Sequence, residues 1–130
     1  MTTRIRFRLA ALAAALPLLL AGCGGGIYLE FTDDDPPEVD IAASTASAFP
    51  GETVRLSAFA VDDDYVVEVA FYREERDGSL TLLGVDDRAP FQWDATMPNV
   101  PRDSTVYFAA RAYDSVGQRS GTSYVSVLAD

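Results

Sequence analysis

Histidine and lysine are absent from the 130 residues, and there is a single cysteine, Cys23. Without histidine the chain lacks the commonest general base and the commonest zinc ligand. Without lysine it has no amine nucleophile for Schiff-base chemistry. One cysteine cannot form a disulfide within a monomer, so core packing alone must hold the fold together. Carboxylates and tyrosines are the only groups left for acid–base work. A two-carboxylate hydrolase survives on paper, but it needs a cleft that so short a chain has little material to build. No catalytic activity is expected. Positive charge is also scarce, at ten arginines against twenty acidic residues. Three arginines precede Cys23 and every acidic residue follows it, so the chain from Cys23 onward carries a net charge of −13. Such a surface repels nucleic acid, which is excluded as a partner.

The first 22 residues have the parts of a secretory signal. Arg4, Arg6 and Arg8 supply a charged start, and Leu9 to Leu20 is an unbroken apolar run. Small residues follow, where a signal is cut. The run is shorter than the ~20 residues that a comfortable membrane-spanning helix requires. It ends in Leu20-Ala21-Gly22-Cys23, which resembles the lipobox of bacterial lipoproteins. That resemblance implies cleavage before Cys23, a lipid on Cys23 and attachment to a membrane of the cell envelope. Gly24 is not the aspartate of an inner-membrane retention signal, so the resemblance points to the outer membrane. Residues 23–37 then read as a tether. Gly24-Gly25-Gly26 cannot pack and is costly to order. Asp33-Asp34-Asp35-Pro36-Pro37 is self-repelling and stiff.

From Glu38 to Asp130 no helical period occurs. Short runs of alternating polarity are separated by turn signals. Val39–Ala43, Thr53–Val61, Tyr65–Tyr72, Leu80–Val85, Phe91–Ala95, Ser104–Asp114 and Thr122–Leu128 are the expected strands. The longest is the clearest. Val106, Phe108, Ala110 and Ala112 fall on one face, and Tyr107, Ala109, Arg111 and Tyr113 on the other. Pro50-Gly51, Asp77-Gly78 and Asp114 to Gly117 are turns. About seven antiparallel strands at such spacing predict an all-β sandwich.

Four pieces of this region, in order, resemble the bacterial immunoglobulin-like domains. They are Val54-Arg-Leu-Ser-Ala-Phe-Ala-Val-Asp62, Val69-Ala-Phe-Tyr72 with Leu82-Leu-Gly84, Ala89-Pro-Phe-Gln-Trp93, and Ala110-Arg-Ala-Tyr-Asp-Ser-Val-Gly117. The resemblance implies an immunoglobulin-like sandwich and a binding or structural role. Asp64-Tyr65 departs from the Asp-Gly that usually precedes the third strand. The antibody-type cysteine pair is absent, and Trp93 falls on the fifth expected strand, so it is not the antibody core tryptophan.

Strands that alternate in direction place the Asp62-Asp63-Asp64 and Asp86-Asp87 loops and the turn at Asp114 at one pole, where the acidic tether also enters. Calcium takes six to eight oxygen ligands, often from several aspartates. Asp62, Asp64 and Asp114 are the candidate ligands, and no other cofactor is expected. The spacing is not that of an EF-hand. Aspartates in turns also bond their own backbone, so strand capping by Asp62 and Asp114 competes with metal ligation. Tyr72, Tyr107, Tyr113 and Tyr124 share an outward face, either as cross-strand packing or as a strip for a glycan or an envelope protein. Three roles follow for a lipid-anchored envelope protein: a non-catalytic display module, a calcium-dependent adhesion module, or an accessory subunit that joins a partner's sheet through an edge strand.

Overall fold

The computed structural model describes residues 34–130; the signal segment, Cys23 and the tether up to Asp33 lie outside them. Eight strands form: β1 (Glu38–Ala43), β2 (Ser47–Ala48), β3 (Thr53–Val61), β4 (Val66–Glu74), β5 (Leu80–Asp86), β6 (Phe91–Thr96), β7 (Thr105–Asp114) and β8 (Ser123–Ala129). They make two sheets, β1-β3-β6 and β2-β8-β7-β4-β5. All pairings are antiparallel except β2 on β8. The compact unit runs Asp34–Asp130, so the last residues assigned to the tether lie on it.

The sandwich follows from the alternation. Val54 and Leu56 on β3, Val69 and Phe71 on β4, and Phe108, Ala110 and Ala112 on β7 are all fully buried between the sheets. Burying a phenylalanine such as Phe71 or Phe108 stabilises the fold by about 1.5–3 kcal/mol relative to leaving it in water. Phe91 belongs to the same core, and Trp93 is partly buried against it. A Cβ on Gly84 would overlap the Trp93 indole. Trp93, from one sheet, therefore lies directly on the backbone of β5 in the other.

The two-residue β2 has no alternating pattern and was not among the seven expected strands. The chain leaves the first sheet after Ala43 and joins the second, where Leu128 N–H donates to Ala46 O (2.9 Å) and Asp130 N–H to Ala48 O (3.0 Å). The register of β4 on β5 shifts between Phe71 and Tyr72, and Leu83 is the extra residue. Such a bulge bends an edge strand away from flat pairing. At the Asp77-Gly78 turn, Gly78 has φ +84° and the Asp77 carboxylate accepts from both the N–H and the hydroxyl of Ser79.

Strand directions put the 62–65, 87–90 and 115–122 loops at one pole with the entry to β1. The 49–52, 75–79 and 97–104 segments lie at the other.

Candidate functional site

The acidic pole is assembled by three segments. Asp62, Asp63 and Asp64 follow β3, where alternation stops and the charges oppose further pairing. Asp114 ends β7 in register with its buried face and is 3 % exposed. Asp34 comes from the segment that leads into β1. Its backbone carbonyl accepts from the Gln118 side-chain amide at 2.9 Å. Ser115 N–H donates to Tyr65 O (3.0 Å), tying the 115–118 turn to the 62–65 loop.

The three expected ligands have different surroundings. One carboxylate oxygen of Asp114, Oδ1, accepts from the N–H groups of Val116 (3.0 Å) and Gln118 (2.7 Å) and so holds the turn. Gly117 supplies the positive φ, +89°, that this turn requires. Asp62 Oδ1 accepts from Asp63 N–H at 3.0 Å. The capping role is therefore real for both residues, and it occupies one oxygen of each. The other oxygens, Asp114 Oδ2 and Asp62 Oδ2, are buried and have no hydrogen-bond partner. Asp64 sits in a group with Asp34 and Asp63, one carboxylate oxygen of each lying within 4.8 Å of the others; Asp62 and Asp114 are not in that group. Sequence reasoning put the linker at this pole but did not select Asp34 or Asp63, and it passed over Gln118. Asp34 Oδ1 and Gln118 Oε1 are also buried without a partner. The Asp-x-x-Gly-Gln order of the turn was the available signal for Gln118, since the turn folds its fifth residue back over Asp114.

The electrostatics agree with the geometry. Loss of hydration, then the adjacent carboxylates of Asp64, Asp63 and Asp114, push the Asp34 carboxyl up to about 6. Asp62 is raised as well, first by burial and then by Asp63 and Asp114. Among the described residues the ion pairs are Arg55–Asp94, Arg73–Glu75 and Arg88–Asp87, and none brings an arginine to this group. Asp86 is set apart, since its two oxygens accept from the N–H groups of Arg88 (3.1 Å) and Gln92 (2.8 Å). What remains is a group of oxygens with an excess of negative charge. It can bind a hard cation; without a nucleophile or a base of another kind, it suits binding better than covalent chemistry.

The outward face of the five-stranded sheet carries the tyrosines. Tyr72 and Tyr113 hydroxyls approach to 3.5 Å, and the Arg111 guanidinium lies 5.2 Å from the Tyr72 ring centroid. Tyr72 and Tyr124 flank the fully buried Ala109 in register. Two of the four, Tyr72 and Tyr113, thus meet at their hydroxyls, while Tyr107 and Tyr124 are the more exposed.

Comparison with known proteins agrees with the architecture. Residues 37–109 match the family described as "Bacterial Ig domain". No curated protein matches the chain. Among solved structures, the chain is similar to the fibronectin(III)-like modules of CbhA from Clostridium thermocellum. The TM-score there is 0.59 at 21 % identity over 73 % of this chain, which spans 47 % of that one. It is also similar to the PKD domain of an M14-like peptidase from Thermoplasmatales archaeon SCGC AB-540-F20. There the TM-score is 0.51 at 17 % identity, over 74 % of this chain and 97 % of the other. At these identities the likeness shows the fold. The family match covers more than half the sequence, and the rest of β7 with β8 completes the same two-sheet sandwich beyond it. The chain belongs to the bacterial Ig-domain family.

Proposed function

We propose that this protein is a lipid-anchored component of the cell envelope, most naturally of the outer membrane, that presents one Ig-like domain in a non-catalytic binding or structural role. The lipid is carried by Cys23. The observation that carries the reading is the Leu20-Ala21-Gly22-Cys23 sequence at the end of the apolar run. The segment leading into β1 is hydrogen-bonded to the acidic pole through Asp34 and Gln118. The partner on this reading is an envelope protein or a glycan. At the pole opposite the acidic one a groove of about 590 Å³ runs between the 73–78 hairpin and the 98–107 segment, with Arg73, Arg76, Val100 and Tyr107 among its walls. The edge strand β5 exposes Leu82 and Val85 and offers a second route, strand addition to a partner's sheet.

Membrane fractionation of the full chain beside Cys23→Ser, with mass analysis of the N-terminal peptide, tests the anchor. The native chain is expected in the membrane fraction with an acylated Cys23, and the variant in the soluble fraction. A Cys23→Ser chain that stays on the membrane, or an unmodified Cys23, overturns it.

A second reading rests on a specific observation. Three carboxylates and one amide at the acidic pole each have a buried oxygen without a donor. On that reading the domain binds calcium there, through the aspartates that include Asp62, Asp64 and Asp114.

A further inference from the structure

Resting on the binding role of the first reading, we infer that the groove at the pole opposite the acidic one is a binding site for a neutral oligosaccharide. The sugar chain lies on Tyr107 at the groove wall and extends over Tyr124 on the outward face of the five-stranded sheet.

The groove itself is the first support. Its volume of about 590 Å³ falls within the ~300–1,000 Å³ of sites that hold small ligands. A stable protein partner needs instead a broad surface, about 800 Å² on each side. Both walls are held before any ligand arrives. In the hairpin, Glu75 N–H donates to Ser79 O (2.7 Å) and Gly78 N–H to Glu75 O (2.9 Å). In the other wall, Ser104 N–H donates to Pro101 O (3.1 Å) and Asp103 N–H to Ala129 O (2.8 Å). A site ordered in advance loses less entropy on binding.

Charge is the second support, and it selects the ligand. The chain from Cys23 onward bears a net charge of −13. The charged side chains that line this groove are nevertheless balanced, Arg73 and Arg76 against Glu74 and Glu75. Arg73 is paired internally, since its Nε and Nη2 both donate to Glu75 Oε1, at 3.0 and 2.7 Å. Arg76 has no ion pair among the described residues, so its guanidinium donors can face a ligand. Asn99 adds an amide that both donates and accepts. A balanced set of this kind concentrates no ion of either sign. It matches a neutral ligand whose groups also donate and accept, as sugar hydroxyls do.

Tyrosine is the third support. A sugar ring has an apolar face of C–H groups, and a tyrosine ring offers it a flat apolar surface with a hydroxyl at the edge. Tyr107 lines the groove and is 44 % exposed, and Tyr124 is 49 % exposed. In register, Tyr107 faces Ser126, and Ala109 faces Tyr124. The small residues take one diagonal of this square and the tyrosines the other, about 7–8 Å apart. Two stacking surfaces therefore follow one another out of the groove, which favours an elongated ligand over a single sugar.

The test is calorimetric titration of the full chain in a detergent without a sugar headgroup. The probes are cellohexaose, laminarihexaose, maltohexaose and mannohexaose, with hexagalacturonic acid as the charged counterpart. The native chain is expected to bind at least one neutral hexasaccharide, and to bind the charged one about tenfold more weakly or worse. Tyr107→Ala is expected to lose about tenfold in affinity and Tyr124→Ala a few-fold, with circular dichroism showing each folded. Tyr107→Phe keeps the ring and is expected to keep most of the affinity. Tyr65→Ala removes an exposed tyrosine at the other pole and is expected to bind as the native chain does. The inference is overturned by an absence of binding to every neutral probe, by unchanged affinity in Tyr107→Ala, by an equal loss in Tyr65→Ala, or by equal binding of the charged probe. A sugar-free chain that sediments as a dimer, and as a monomer in Tyr107→Ala, makes this surface an interface between copies and overturns it too. The N-terminal peptide is weighed on the same sample. An acylated Cys23 without sugar binding defeats this inference and leaves the anchor standing, and an unmodified Cys23 with sugar binding does the reverse.

Discussion

Gly84 shows how one residue sets the spacing of the sheets. Its missing Cβ is the space that the Trp93 indole fills. Gly84→Ala is expected to destabilise the domain by about 1–3 kcal/mol through overpacking. Urea unfolding checks this, and Gly84→Ala combined with Trp93→Leu should fall short of the sum of the two single losses, because the clash no longer exists. The pair was only half legible in the sequence. The alternation placed Trp93 and Phe91 on the same inward face. Nothing in the sequence said that the tryptophan would meet a glycine nine residues earlier, because the bulge at Leu83 sets that register and bulges have no periodicity. At the acidic pole the aspartates were visible as residues, and their pole followed from strand direction. Their division of labour was not. Only coordinates separate an oxygen that holds a turn from its neighbour that holds nothing.

At the scale of elements, seven of the eight strands were readable, because each is at least six residues long and is bounded by turn signals, and β7 begins with a clear alternation of burial. The eighth, β2, is too short to have a period, and what makes it a strand is β8 beside it. Its single buried side chain, Ala48, is 2 % exposed. Ala48→Glu would force a carboxylate into the core margin, and the β2–β8 pairing is expected to open. Native-state hydrogen exchange of that variant should show the Leu128 and Asp130 amides exchanging at the rate of exposed loops. The amides that join β4 to β7 should remain the slowest, since they lie in the middle of the larger sheet. Uniform acceleration across β4 and β7 would contradict the view that β2 is a local clasp.

For the molecule as a whole, charge is the dominant feature. The chain from Cys23 onward bears a net charge of −13, and its acidic pole concentrates the repulsion. In the absence of divalent cations, sodium chloride is expected to raise the melting temperature. Most of the gain should come below about 0.15 M, where the Debye length has already shrunk to ~8 Å. A melt that is flat with salt would mean that the carboxylates are already neutralised. This property was legible from composition alone. The sandwich was legible from pattern, and the family from four short segments in order. The hidden part was where the chain's entry meets the fold, because a hydrogen bond between Gln118 and Asp34 spans 84 positions that no local pattern connects.

β1 begins at the acidic pole, and β8 ends at the opposite one. A pull applied between Asp34 and Asp130 therefore runs along the strands. β2, which follows β1, and the end of β8 are parallel neighbours near that opposite pole. Tension would slide them past one another, so the Leu128–Ala46 and Asp130–Ala48 hydrogen bonds are loaded together and not peeled one by one. The small clasp that the alternating pattern left unmarked is thus where the domain would resist mechanical force.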